Sequence, residues 1–171
     1  MSKKVFLKEK IILIKHSKGA FGLRQFGLGP NLLPCKGLTK LKTFLDQNTT
    51  WAKNRRIGDI KKCLANSDVI ISIWSNNKIL GFGRALSDGI YRSVLWDIVI
   101  DSNHQGKGYG KLVVKSLLES EKIKKSERIY LMTSNRKDFY CQLNFKEVQS
   151  QDLLIRDYSN ASPNTRYFEQ R

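Results

Sequence analysis

Acidic residues are scarce in this chain. Fifteen Asp and Glu stand against thirty-one Lys and Arg, which leaves a net charge of +16. Cysteine is scarce too. Cys35, Cys63 and Cys141 are odd in number and far apart, and neither His16 nor His104 sits near one of them. A disulfide framework or a zinc site is therefore not expected, no metal is expected at any site, and a reducing compartment fits better. Long apolar runs are missing as well. The longest, such as Val69 to Trp74 broken only by Ser72, fall far short of the roughly twenty residues that span a bilayer. No membrane partner is expected. Met1-Ser-Lys-Lys is basic, but no long apolar stretch and small-residue cleavage site follow it, so no signal peptide is expected. These absences together lead to an expectation of a soluble, intracellular protein.

What remains is enough to fold. The 171 residues, 40% hydrophobic and 10% aromatic, suit one domain over 1–171 with a real core. Val5 to His16, with Ile11 to Ile14, reads as a first strand. Gly19 to Pro34, rich in glycine and proline, reads as a long loop. Leu38, Leu41, Phe44 and Leu45 recur at helical spacing, as do Ile57, Ile60 and Leu64. Val69–Trp74 and Ile79–Leu86, joined by Ser75-Asn76-Asn77-Lys78, read as a β-hairpin. Ser87-Asp88-Gly89 marks the next turn and Val94–Ile100 the next strand. A helix over Leu112–Ser120, a strand at Arg128–Met132 and a short helix at Lys137–Leu143 follow. Val148 and Leu153–Ile155 offer one or two further strands. The expectation is a mixed α/β fold with an antiparallel meander at its centre.

Ser93 to Lys111 carries the chemistry. A run that reads as a buried strand leads into a turn, then into Gly106, Gly108 and Gly110, then into a stretch that reads as an amphipathic helix. Glycines let backbone come close to a ligand, and the first-turn N–H groups of a helix have no intrahelical partner. Those donors and the positive end of the helix dipole favour phosphate, and Lys107 and Lys111 add charge there. A dinucleotide fingerprint fails because Lys111 stands where the third glycine belongs. A P-loop fails because position 105 is Gln and Leu112 follows Gly110-Lys111.

Gln105-x-x-Gly108-x-Gly110 after a β-branched strand resembles the acetyl-CoA motif of the GCN5-related N-acetyltransferase (GNAT) superfamily. Downstream, Phe139-Tyr140-Cys-Gln-Leu-Asn144-Phe145 resembles its F-Y-x-x-L-G-F signature. The resemblance is good over 69–148. Asp88 to Ile100 resembles the cyanobacterial and plastid branch, which includes serotonin N-acetyltransferase-like enzymes. It implies a central twisted, mostly antiparallel sheet flanked by helices, splayed between the fourth and fifth strands near Leu131–Thr133. It implies acetyl-CoA as co-substrate and an amine acceptor, an arylalkylamine or a protein lysine. The backbone of Ile98, Val99 and Ile100 would pair with the pantetheine amides, and Gln105, Gly106, Lys107, Gly108, Tyr109, Gly110 and Lys111 would hold the pyrophosphate. Tyr140 would protonate the leaving thiolate. Asn144 stands where the signature has glycine, and Asn tolerates the left-handed backbone. Ser134, with Asn135 beside it, stands where many relatives place an Asn that contacts pantetheine.

A primary amine with a pKa near ~10.4 is protonated at neutral pH and cannot attack a thioester until a base takes the proton. Asp97, alone in an apolar run, is the candidate base or a hydrogen-bonded structural group; Asp88 and Tyr91 are the other candidates to face the acceptor, and Trp96 is expected in the core. The function expected is N-acetyl transfer from acetyl-CoA to a primary amine by direct attack in a ternary complex. The alternative is a non-catalytic CoA-sensing or basic nucleic-acid-binding module, for which the charge speaks but no motif does. Nucleic acid is thus a possible, unspecific partner. The oligomeric state is monomer or homodimer, and the location cytoplasm, or plastid stroma if the gene is organellar.

Overall fold

The computed structural model describes residues 10–19 and 21–156. It forms two compact units, Met1–Met132 and Thr133–Arg171. The first holds a five-stranded sheet in the order β1 (Ile12–Ser17), β2 (Val69–Ser75), β3 (Lys78–Ser87), β4 (Arg92–Ile100), β5 (Arg128–Tyr130). The first four strands pair antiparallel, and β5 runs parallel to β4. Residues 5–9 of the expected first strand lie outside the described residues.

The hairpin between β2 and β3 turns on Asn76 (φ 43°) and Asn77 (φ 63°), with Ser75 opposite Lys78. Two successive left-handed residues give the type I′ turn whose twist suits a two-residue hairpin, and Asn tolerates that backbone best after glycine. The β3–β4 turn is held by Asp88, whose carboxylate accepts from the N–H groups of Ile90, Tyr91 and Arg92 at 2.8, 2.8 and 3.0 Å. Those bonds hold its carboxyl below the usual range. Asp88 is thus occupied within its own turn, and Tyr91 is exposed there.

One face of the sheet is covered by α2 (Gly37–Asn48) and α3 (Ile57–Asn66). Leu41, Phe44, Leu45, Ile60 and Leu64 meet Phe82 and Val99 there in one buried cluster. Burying a side chain of this size contributes about 1.5–3 kcal/mol, so this cluster carries much of the fold. The helix α4 (Tyr109–Leu118) packs through Val113 and Leu117 against Gly83 of β3 and Ile98 of β4.

The expected long loop over Gly19–Pro34 is partly regular: α1 (Leu23–Phe26) and a 3₁₀ turn at Pro30–Leu32 lie in it. Within it Arg24 is buried. It donates to the main-chain carbonyls of Leu64 (2.9 Å), Ala65 (3.3 Å) and Ser67 at the end of α3, and to His16 (3.3 Å). A helix C-terminus leaves carbonyls without intrahelical donors, and one guanidinium here serves several. His16 Nε2 is hydrogen-bonded to Ser72 Oγ at 2.8 Å, and Trp74 Nε1 donates to the same oxygen. Burial and the Arg24 charge lower the His16 pKa to about 4.

In the second unit, α5 (Lys137–Cys141) leads into a turn with Asn144 at φ 65°. The strands expected around Val148 and Leu153–Ile155 do not form within the described residues. That segment is irregular, and Leu154 is 89% exposed. Three adjacent apolar residues make a strand only where a partner edge completes the backbone hydrogen bonds.

Candidate active site

The site is built around an irregularity in β4. Phe82 pairs with Val99 and Arg84 with Trp96, so two residues, Asp97 and Ile98, stand opposite the single Gly83. Asp97 has φ 53°, the left-handed residue of a β-bulge. The bulge sends Ile98 towards α4, where a Cβ on Gly83 would lie 2.8 Å from Ile98 Cδ1 and 2.6 Å from Val113 Cγ1. Only glycine leaves that room.

The same bulge holds Asp97 on the α2/α3 side. Its side chain is 4% exposed and receives Arg84 Nε at 2.6 Å and Arg55 Nη1 at 3.1 Å on one oxygen. Arg55 Nη2 lies 3.3 Å from the other. A buried carboxylate is tolerated because it is paired and hydrogen-bonded. Beside it opens a cavity of about 250 Å³, walled by Leu41, Leu45, Ile60, Leu64 and Phe82 and edged by Arg55, Arg84 and Asp97. Trp96 is half-buried, with the Arg84 guanidinium 5.8 Å from its ring.

The pairing of β4 with β5 covers Arg92, Ser93 and Val94. From Leu95 to Ile100 β4 has no strand beside it on that edge among the described residues of the first unit, so the splay falls between the fourth and fifth strands. Ile98, Val99 and Ile100 lie on this stretch. After it, the Asp101 carboxylate accepts from the Asn103 N–H at 3.0 Å and contacts His104 Nδ1 at 2.6 Å. Ser102 N–H donates to Asn48 Oδ1 at 2.8 Å, tying the turn to α2. His104 in turn stacks on Tyr109.

Gly106 (φ 77°) and Gly108 (φ 86°) follow, both left-handed, and a Cβ on either would meet nothing within 4 Å. What these positions require is the backbone conformation, and the space in front of them is open. Gly108 is the N-cap of α4 and no side chain caps that end; the first turn holds no acid. Lys107 and Lys111 are exposed beside it. An uncapped N-terminus, two cations and open space suit a phosphate-bearing ligand.

Tyr140, Ser134 and Asn135 belong to the second unit. Ser134 and Asn135 are exposed in the turn before α5. Tyr140 packs edge-on against Phe139 and Phe145, with centroids 4.9 and 5.9 Å away. Burial raises its pKa, so the phenol stays protonated well above neutral pH.

Two residues of this site escape a reading of sequence alone. Arg55 and Arg84 sit forty-two and thirteen positions from Asp97, and nothing in their local sequence marks them. The one available signal is Asp97 itself, since a buried carboxylate implies a cationic partner somewhere.

Residues 66–147 match the model of the acetyltransferase (GNAT) domain. The chain is 40% identical over 73 residues to the "uncharacterized N-acetyltransferase ycf52" of Pyropia yezoensis, covering 40% of this chain and 41% of that protein. It is 30% identical over 94 residues to "GCN5-related N-acetyltransferase 1, chloroplastic" of Arabidopsis thaliana, covering 53% and 48%. A crystal structure of a GNAT-family acetyltransferase from Xanthomonas campestris superposes with a TM-score of 0.65 at 20% identity, over 85% of this chain and 93% of that one. Residues 66–147 are thus similar to the acetyltransferase (GNAT) domain, and the chain shares the mixed α/β fold of that solved structure. The matched stretch spans about half the length of these curated relatives. Among the described residues no helix is long and apolar enough to cross a membrane.

Proposed function

We propose that the chain is an N-acetyltransferase that moves the acetyl group of acetyl-CoA to a primary amine. The observation that carries this reading is the continuity between the β4 edge beyond its pairing with β5 and the glycine turn of α4, whose end no side chain caps. A pantetheine arm lies along the main chain of Ile98, Val99 and Ile100 as an extra strand would. The pyrophosphate meets the turn from Gln105 to Lys111, where the backbone N–H groups and the two lysines offset its charge. Ser134 and Asn135 are the candidates to contact the arm. On this reading 1–171 acts as one transferase domain.

The reaction needs positioning and two proton transfers. The amine nitrogen attacks the thioester carbonyl, the C–N bond forms and the C–S bond breaks. Asp97 accepts the amine proton, directly or through a water, and Tyr140 donates its phenolic proton to the departing thiolate. The raised Tyr140 pKa supports that role, because a donor must hold its proton at the working pH. Asp97 also has a structural part, since it joins β3, β4 and the α2–α3 loop through its two arginines. The acceptor belongs beside Asp97, in the apolar cavity. A turnover screen with acetyl-CoA against arylalkylamines and lysine peptides tests the reading. Thiol release that depends on an amine supports it, and none with any amine would overturn it.

A further inference from the structure

The two arginines do not hold Asp97 alike. Arg84 belongs to the central strand β3, is 11% exposed, and approaches to 2.6 Å. Its Nη1 also lies 3.5 Å from Ser67 Oγ and its guanidinium sits near the Trp96 ring. Arg55 comes from the connection between α2 and α3, is 34% exposed, and stands off at 3.1 and 3.3 Å. Its guanidinium also lies 5.3 Å from the ring centroid of Trp51, an exposed residue of the same connection. One cation is built into the sheet. The other lies at the surface end of the contact, with an aromatic face next to it.

Arg55 and Asp97 both border the apolar cavity, which has room for one small body; at about 250 Å³ it falls just below the ~300–1,000 Å³ usual for ligand pockets. A carboxylate this deeply buried needs its cationic partners, but it does not need this particular one. An alkylammonium with an apolar body meets both demands at once: its carbons fit the leucine, isoleucine and phenylalanine wall, and its charge fits Asp97.

We propose that Arg55 occupies the seat of the acceptor's ammonium. The amine displaces it from Asp97, cation for cation, and Arg55 moves onto Trp51 and towards solvent. This rests on the acetyl-transfer reading, since it takes the cavity as the acceptor's side of the site. It makes Arg55 a specificity-determining residue that opposes acceptor binding and keeps Asp97 paired when no amine is present. The ligand class is a primary alkylammonium with an unbranched apolar stem, carried by a free arylalkylamine or by a lysine side chain.

The test is calorimetry on the full chain with two ammonium probes that cannot become amides. They are N,N-dimethylphenethylamine and an Nε-dimethyl-lysine peptide. Arg55→Gln should bind at least one of them roughly ten-fold more tightly than the unsubstituted chain, a change of about 1.4 kcal/mol. The probe that gains names the source of the ammonium. Adding Asp97→Asn should abolish the gain. Arg55→Lys, which keeps the charge but cannot reach both oxygens in the same way, should gain less and covers the case in which Arg55→Gln fails to fold. Unchanged or weaker binding of both probes by the folded variants overturns the exchange. Acetyl-CoA is titrated into the same samples: a chain that binds it without the amine gain loses the exchange alone, whereas a chain that binds no acetyl-CoA loses the acetyl-transfer reading.

Discussion

Arg84 Nε meets Asp97 Oδ2 at 2.6 Å across the point where the β3–β4 register shifts. The ion pair and the bulge support one another. The bulge places a carboxylate on the α2/α3 face, and Arg84, three positions past Gly81 on β3, supplies the charge that makes its burial tolerable. Arg84→Met should therefore leave Asp97 with only the more exposed Arg55. We expect a loss of about 3 kcal/mol, at the lower end for a broken buried pair, read as a lowered midpoint in urea. A midpoint within error of the unsubstituted chain would show that Asp97 does not need Arg84.

Gly83 should not accept a side chain. Gly83→Ala places a methyl 2.6 Å from Val113 Cγ1 and 2.8 Å from Ile98 Cδ1, and forced overpacking of this kind costs about 1–3 kcal/mol. Thermal unfolding should show the loss. An equal melting temperature would mean that α4 yields at no cost.

The His16 pair predicts a pH dependence. An unfolded histidine takes a proton near 6.5, whereas the folded one, held neutral by burial, takes it near 4. Between those values the unfolded state binds more protons, so stability is full above about 6.5 and falls as the pH drops towards 4. The effect is on the order of 2–3 kcal/mol over the window. Denaturant titrations at several pH values between 7 and 4 should show that slope, and His16→Asn should reduce it. A variant with the same slope would place the acid sensitivity elsewhere.

Tyr140→Phe should lower kcat with little change in KM for acetyl-CoA, because a hydroxyl acting on the departing sulfur contributes in the transition state and not to ground-state binding. Full kcat under conditions where chemistry limits turnover would leave Tyr140 as a packing residue between Phe139 and Phe145.

The strands and helices that position the site were legible because their signals are local. The β2–β3 hairpin follows from two asparagines between apolar runs, and the α4 turn from glycines whose left-handed backbone the structure contains. Asn144 likewise adopts the φ of 65° that its place in the signature implies. What could not be read was carried by distance in sequence. Arg24 sits in an apparent loop, yet it closes the end of α3 forty residues away. Arg55 and Arg84 meet Asp97 only once α2, α3 and β3 have packed, so an isolated aspartate gave notice of a partner without naming it. Leu153–Ile155 misled for the opposite reason: local apolarity suggested a strand that no neighbouring edge completes among the described residues.

Acetyl-CoA binding at the glycine turn is tested most directly by calorimetry of the unsubstituted chain and of Gly108→Val, each checked for folding by thermal melt. Gly108 has φ 86° and open space before it. Valine should both strain that backbone and fill the approach to the turn. We expect saturable binding to the unsubstituted chain and an affinity about ten-fold or more weaker in the folded variant, ~1.4 kcal/mol or above. Equal affinity in the two chains, or no binding to either, would contradict binding at this turn.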